Sequence, residues 1–153
     1  KQKGEIMKRV PTIVVSGGFD PIHKGHVQMI REAAEYGQVI ILLNSDEWLI
    51  RKKGYKFMPF EDRAYIAGSI KGVTVVSAVD DSDNTVCAGL KRFKPDYFAN
   101  GGDRYETNTP EMDICEELNI RTLWGIGGGK IQSSSELVTK VQYGRRIING
   151  QEF

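Results

Sequence analysis

Two histidines and two glycines, placed directly after an apolar strand, are the residues of this sequence best suited to chemistry. Gly17 and Gly18 allow a tight turn in which backbone N–H groups approach a ligand closely. His23 and His26 lie three residues apart at the start of a predicted helix, so both project from one side of its first turn. A helix N-terminus offers orphan N–H donors and a positive dipole end to phosphate. The segment therefore predicts a pocket for a nucleoside triphosphate.

A competing interpretation of the histidine pair is structural. Two histidines three residues apart can cap a helix, and a single histidine is often a packed core residue. Here the pair comprises the only two histidines in 153 residues, and both fall in one glycine-bounded turn after a strand. Because the strand–turn–helix context of a phosphate site is present, we favour the chemical interpretation.

The elements that must position this turn alternate along the chain. Apolar runs predict strands over residues 12–16, 39–44, 73–78, 97–99 and 121–124. Helical periodicity predicts helices over residues 24–36, 60–70, 85–93, 111–118 and 134–148. The first two strands are continuously apolar, as expected for strands buried on both faces of a parallel sheet. The predicted fold class is therefore α/β, a doubly wound, five-stranded parallel sheet with helices on both faces.

Polar and glycine-rich clusters follow four of the five predicted strands. Asn44 and Asp46 follow the second strand, Asn100 to Asp103 follow the fourth, and Ser133 to Ser135 come after the fifth. In doubly wound sheets the ligand lies beyond the carboxyl ends of the strands. We therefore expect these clusters to meet the histidine turn at one edge of the sheet.

Size and composition exclude several classes of function. A chain of 153 residues with 40% apolar and 27% charged residues is typical of one globular domain, assigned to residues 12–153 with residues 1–11 as a leader. The net charge of +1 argues against a dedicated nucleic-acid binder, and no apolar run is long enough for a membrane span. Cys87 and Cys115 lack metal-site spacing and are interpreted as inert thiols of a cytoplasmic protein.

The motifs together resemble the nucleotidyltransferase superfamily that carries the His-x-Gly-His signature, the cytidylyltransferase-like superfamily. The signature is His23-Lys24-Gly25-His26, and the likeness continues through Asn44-Ser45-Asp46, Glu61-Asp62-Arg63, Asn100-Gly101-Gly102-Asp103 and Ser133-Ser134-Ser135. It is nearest to the adenylyltransferase domain of the bifunctional ADP-heptose synthase, with glycerol-3-phosphate cytidylyltransferase and archaeal FAD synthetases as relatives. The resemblance implies a Rossmann-like sheet of order 3-2-1-4-5 and Mg²⁺-dependent transfer of a nucleotide to a phosphorylated acceptor.

The resemblance also implies a role for each matching residue. His23 and His26 are expected to donate hydrogen bonds to the phosphates, and Lys53 or its neighbour Lys52 to close over them. Asp20 is expected to orient either a phosphate-bound Mg²⁺ or the turn itself. The implied nucleotide-binding set is Gly17, Gly18, Phe19, Asp20, Gly25, Lys52, Asn100, Gly101, Gly102, Asp103, Ser133, Ser134 and Ser135. The implied acceptor-binding set is Asn44, Asp46 and Arg63, and no residue is assigned as a metal ligand.

The sequence leaves alternatives open for the role of Arg63 and for the identity of the substrates. Arg63 could line the acceptor pocket, support it, or form a surface ion pair on its helix. The favoured reaction transfers AMP from ATP to a small phosphorylated acceptor, with a sugar 1-phosphate as the favoured acceptor. Transfer of CMP from CTP to glycerol 3-phosphate or a phospho-alcohol is the alternative, weakened because Lys130 stands near where those enzymes carry an arginine. A nucleotide sensor without turnover is the alternative of another class, and a homodimer is compatible with the resemblance.

Overall fold

The computed structural model of the protein describes residues 9–101, 108–128 and 133–148. Its centre is a parallel sheet of five strands in the order β3-β2-β1-β4-β5, which confirms the predicted fold class and strand order. The strands are β1 (Thr12–Gly17), β2 (Gln38–Leu43), β3 (Val73–Ala78), β4 (Tyr97–Gly101) and β5 (Arg121–Ile126).

Six helices connect or follow the strands. They are α1 (Lys24–Ala33), α2 (Asp46–Lys53), α3 (Phe60–Gly68), α4 (Cys87–Phe93), α5 (Pro110–Glu117) and α6 (Ser134–Ile148). Five lie where the sequence predicted them, although α1 ends three residues before the predicted end at residue 36.

Helix α2 is absent from the helices that the sequence predicted. The Ser45 hydroxyl caps its start by accepting from the Trp48 N–H, and Gly54 ends it in the left-handed conformation. Two acidic residues in the first turn and three basic residues in the last complement the helix dipole. The capping serine and the terminal glycine were therefore the local signals that could have revealed this helix.

The core is divided into two layers by the sheet. Ile13, Val15 and the alternate residues of β2 face α1 and α3, whereas Val14 and Leu42 face α4 and α5. Residues Ile13 to Val15 of β1 are fully buried, as predicted for a strand covered on both faces. Each such side chain contributes about 1.5–3 kcal/mol by leaving water. The packed strands thus provide a rigid base for the loops at their carboxyl ends.

The segment before β1 is tied to the amino edge of the sheet. Arg9 donates through Nη1 and Nη2 to both carboxylate oxygens of Asp96, at 2.9 and 2.7 Å. The Thr12 N–H donates to the same carboxylate, so Asp96 joins this segment to the start of β4. Arg9 lies within the stretch that the sequence suggested as a leader.

The two cysteines lie on helices, where the sequence analysis expected inert thiols. Cys87 and Cys115 are buried free thiols on α4 and α5, and burial raises the pKa of both, which keeps them protonated and weakly reactive. Within the described ranges, no helix combines the length and apolar character needed to cross a bilayer.

The approach of Gly37 to the first strand leads to a prediction about stability. A Cβ at Gly37 would lie 2.5 Å from the Pro11 carbonyl oxygen, which accepts from the Gln38 N–H and cannot easily move. Gly37→Ala is therefore expected to lower the free energy of unfolding by about 1–3 kcal/mol in urea denaturation. Gly68→Ala is the matched control, because its Cβ would meet Val76 at an ordinary 3.5 Å. Equal stability of the two variants would contradict this assignment.

Candidate active site

The two histidines form a reciprocal cap on helix α1. The Gly25 N–H donates to Nδ1 of His23 at 3.1 Å, and the His23 N–H donates to Nδ1 of His26, also at 3.1 Å. Together they form a capping box, with His23 as the N-cap residue. The helix cap that was the competing interpretation is therefore present in the structure. This cap uses only the Nδ1 atoms of the two rings.

This cap determines which ring nitrogen can act on a ligand. A nitrogen that accepts a hydrogen bond carries no proton, so in each neutral ring the proton lies on Nε2. The rings stack with centroids 3.8 Å apart. The pair therefore presents two Nε2–H donors, which can bind phosphate oxygens without first gaining a proton.

The surroundings of His26 keep it neutral. Burial first, and then repulsion by a protonated His23 and by Lys53, lower the pKa of His26 from 6.5 to about 3. Phe19 contacts the same ring edge-on, with centroids 4.7 Å apart. Phe19 is itself buried, so its side chain packs against His26, and its predicted contact with the nucleotide stays a prediction. A Cβ at Gly17 would lie 3.2 Å from the Phe19 ring, a tight contact that a small shift of the ring would have to relieve.

The structure separates the two lysines that the sequence could not distinguish. Lys53 acts electrostatically on His26 and so belongs with the histidine pair. The Nζ of Lys52 lies 5.9 Å from the centroid of the Trp48 ring, and both residues line a cavity on the other side of α2. Lys53 is therefore the lysine whose charge reaches His26, and its predicted role at the phosphates stays a prediction.

Asp20 anchors the signature turn to the loop that follows α2. Its two carboxylate oxygens accept from the backbone N–H groups of Phe57 and Met58, at 2.6 and 2.7 Å. The side chain is fully buried, and the peptide bond to Pro21 is cis. Of the two roles predicted for Asp20, its contacts match orientation of the turn.

Arg63 is fully buried and joins four segments around the site. Its Nε donates to the Met58 carbonyl oxygen at 2.9 Å, and its Nη1 donates to the carbonyl oxygens of Gly18 and Asn44. Its Nη2 forms an ion pair with Asp46 at 2.6 Å. The surface ion pair considered from the sequence is wrong, because the side chain has no exposed area. With no exposed area, the side chain makes the contacts of a residue that positions the surrounding segments, and its predicted contact with the acceptor stays a prediction.

Asn44 and Asp46 fix the beginning of α2. Nδ2 of Asn44 donates to the buried carboxylate of Asp81, which also accepts from the N–H and hydroxyl of Ser45. Asp46 binds Arg63 and Lys56, and these bonds lower its pKa even though burial alone would raise it. Of the predicted acceptor-binding residues, Asn44 is the one that lines the cavity.

Helix α6 and strand β4 bring further predicted residues to the same edge. The Ser134 hydroxyl donates to the Pro21 carbonyl oxygen at 2.8 Å, whereas Ser133 accepts from the Glu136 N–H and Ser135 is exposed. Gly101 lies where a Cβ would collide with Met29 of α1. Gly102 and Asp103 lie outside the described residues.

A cavity of about 370 Å³ opens beyond the carboxyl ends of β1, β2 and β4. Its lining includes residues that sequence reasoning did not select. They are Ser16, Trp48, Arg51, Asn84, Val86, Phe98, Thr109 and Glu111. These residues belong to no motif that the sequence analysis used, because their chemistry depends on which elements meet in space.

The strand order, the glycine turn and the imidazole pair at the first helix are the features that the resemblance implied for a nucleotidyltransferase. The chain belongs to the cytidylyltransferase-like family, whose sequence profile matches residues 14–139.

Several known proteins resemble the chain. Bifunctional protein HldE of Aliarcobacter butzleri is 35% identical over 112 residues, which cover 71% of this chain and 23% of that protein. FAD synthase of Pyrococcus horikoshii is 36% identical over 118 residues, covering 75% of this chain and 73% of that protein. The chain thus spans about a quarter of the length of the HldE proteins it matches. A lipopolysaccharide core biosynthesis protein from Thermoplasma volcanium shares the fold, with a TM-score of 0.63 and 18% identity over 76% of this chain and 96% of that one.

The buried position of Arg63 leads to a second prediction. Lysine cannot reproduce a guanidinium that donates in several directions, so Arg63→Lys is expected to lower the free energy of unfolding by about 2–4 kcal/mol. It should also expose the loop around Met58 to limited proteolysis. Arg92→Lys is the matched control on an exposed arginine, where a change of at most about 0.5 kcal/mol is expected. Equal effects of the two replacements would count against the positioning role.

The lowered pKa of His26 leads to a third prediction. Neutral His26 contributes stability that is present above pH 6.5 and lost as the pH falls toward 3, because its folded pKa lies below its unfolded one. Ring ¹⁵N NMR should therefore find the Nε2–H tautomer of His26 at every pH from 5 upwards. Lys53→Met should raise this pKa, whereas Lys52→Met should leave it unchanged. A His26 midpoint near the ordinary value of 6.5 in the native protein would overturn the assignment.

Proposed function

We propose that the chain is an adenylyltransferase that transfers AMP from ATP to a small phosphorylated acceptor, with a sugar 1-phosphate as the favoured acceptor. The observation that carries this proposal is the pair of neutral Nε2–H donors beside Lys53 at the end of the glycine turn. ATP is favoured over CTP because the similar FAD synthases make, by their name, an adenine dinucleotide. The resemblance to HldE favours a sugar acceptor over FMN.

The reaction requires positioning and charge stabilisation more than covalent chemistry. An oxygen of the acceptor phosphate attacks the α-phosphorus of ATP and forms the new P–O bond. The bond from the α-phosphorus to its β-bridging oxygen breaks, and its electron pair leaves with pyrophosphate. His23 and His26 donate through Nε2 to the oxygens on which charge grows, and Lys53 adds a positive charge there.

Magnesium fits this proposal as a companion of the triphosphate. Across the described residues, no three His, Cys, Asp or Glu side chains are grouped so that they could hold a metal ion. Asp20, the carboxylate nearest to the turn, already accepts from two backbone N–H groups. The ion would therefore be held by triphosphate oxygens and water, where it neutralises phosphate charge.

A reducing compartment agrees with the two free cysteines. Cys87 and Cys115 are both buried and are not joined in a disulfide, which is typical of cytoplasmic proteins. We therefore propose that the reaction takes place in the cytoplasm.

Pyrophosphate release is the experiment that tests this function. ATP or CTP with Mg²⁺ would be offered with heptose and hexose 1-phosphates, glycerol 3-phosphate and FMN. Release with ATP and a sugar 1-phosphate is expected. Release with CTP and glycerol 3-phosphate would instead identify the protein as a cytidylyltransferase. Nucleotide binding without release from any acceptor would favour a sensor and contradict the proposal.

Two replacements of His26 separate its capping role from its catalytic role, as a fourth prediction. His26→Asn keeps an acceptor where Nδ1 stands but removes the Nε2–H donor, so kcat is expected to fall by about 10²–10³. His26→Gln can place an N–H near the position of Nε2 and should retain more activity than His26→Asn. The free energy of unfolding of His26→Asn should stay near that of the native protein. Equal kcat in His26→Asn and the native enzyme would remove His26 from the mechanism.

A further inference from the structure

The cavity lined by Trp48 lies on the opposite side of the sheet from the helix that carries the histidines. Helix α1 packs on the face formed by Ile13 and Val15, whereas the cavity belongs to the face that α4 and α5 cover. Ser16 and Gly17 line it, so it reaches the strand end that leads into the phosphate-binding turn. A molecule in this cavity would therefore approach a nucleotide at the turn from the side away from α1.

The wall formed by α2 is cationic. Arg51 is held by bonds from Nη2 to the Asp81 carbonyl oxygen at 2.8 Å and to Oδ1 of Asn84 at 3.1 Å. Lys52 lies over the Trp48 ring, which leaves its ammonium group at the rim. The Asp81 carboxylate faces the start of α2, where its oxygens accept from Asn44 and Ser45, so it is committed to those bonds. This wall is suited to a phosphate.

The opposite wall carries a buried donor that lacks a partner. Nδ2 of Asn100 finds no hydrogen-bond partner within residues 9–101, 108–128 and 133–148, although the residue is only 7% exposed. A buried amide without a partner is costly, and a native protein retains one where a ligand can satisfy it. Asn100 lines the cavity, so its amide can donate to a molecule there.

Glu111 complements this donor with an acceptor. Its Oε2 accepts from the Val86 N–H at 3.1 Å, which holds the carboxylate at the cavity wall. A hydroxyl group both donates and accepts, so an amide donor and a carboxylate acceptor in one cavity match neighbouring hydroxyls. A flat aromatic ring would leave both groups desolvated and unpaired.

We propose that this cavity binds the acceptor as a polyhydroxylated phosphate ester, with Arg51 and Lys52 at its phosphate and Asn100 and Glu111 at its hydroxyls. That the bound molecule is the acceptor rests on the proposed function, whereas the chemistry of binding rests on the cavity itself. Lys52 and Asn100, which the resemblance assigned to the nucleotide, then contact the acceptor instead. Asn100 becomes a specificity-determining residue.

Equilibrium binding tests this inference without requiring turnover. Titration calorimetry would compare hexose and heptose 1-phosphates, glycerol 3-phosphate, inorganic phosphate, FMN and ATP on the native protein and on Asn100→Leu. The variant is expected to bind its best sugar phosphate at least about tenfold more weakly, because the site loses a hydroxyl partner. Its affinity for ATP should be unchanged, and its thermal stability equal or higher, because a buried unpaired amide is removed.

Two further variants complete the design. Lys52→Met should weaken the binding of the sugar phosphates and of glycerol 3-phosphate and leave the affinity for ATP unchanged. It tests the cavity even if Asn100→Leu fails to fold. Gln38→Leu removes an amide at the amino edge of the sheet and should change no affinity. Deoxy sugar phosphates should identify one hydroxyl whose removal weakens binding to the native protein but not to Asn100→Leu.

The outcomes separate this inference from the proposed function. Weaker ATP binding in Asn100→Leu, tighter binding of FMN than of any sugar phosphate, or no binding of any sugar phosphate would overturn the inference. Sugar-phosphate binding that depends on Asn100, without pyrophosphate release from any acceptor, would support the inference and overturn the proposed function.

Discussion

The geometry of the site depends on one buried cation, the guanidinium of Arg63. It binds the carbonyl oxygens of Gly18, Asn44 and Met58 and the carboxylate of Asp46, and thereby joins the signature turn, the end of β2, the start of α2 and the loop before α3. A charge without solvent contact is tolerated only where oxygen atoms replace its water. Asp20 makes the complementary contact from the turn, since it accepts from two N–H groups of the same loop. The two side chains hold in place the segments that carry the reacting groups.

Once this frame is in place, the histidines that we propose to act on the phosphates need little further adjustment. The capping box gives both histidines a fixed tautomer, and the Phe19 ring limits the movement of His26. Donors that are neutral and already oriented require no proton uptake and no reorganisation when charge develops on a phosphate. The same hydrogen bonds that start helix α1 therefore also prepare the site for chemistry.

Helix α2 presents its basic residues to two different surroundings. Lys53 acts on the histidine side, whereas Lys52 and Arg51 lie on the cavity side, so adjacent residues serve different faces of one short helix. The angular spacing of about 100° per residue accounts for this separation, since successive side chains of a helix point in different directions. A sequence that shows three basic residues in a row cannot reveal this division, because it depends on where the helix begins.

The sequence alone determined the sheet, its strand order through the family resemblance, and the histidine turn. Those features follow from local apolar runs, glycine turns and motif spacing, which act over a few residues. The tertiary structure decided the rest. From the sequence, Arg63 could form a surface ion pair, line the acceptor pocket or support it. Only its burial between distant segments distinguishes these three roles. Asn100 and Glu111 share one cavity although each belongs to a different element, β4 and α5. Their proximity results from the packing of helices against a sheet, and the spacing of residues along the chain carries no record of it.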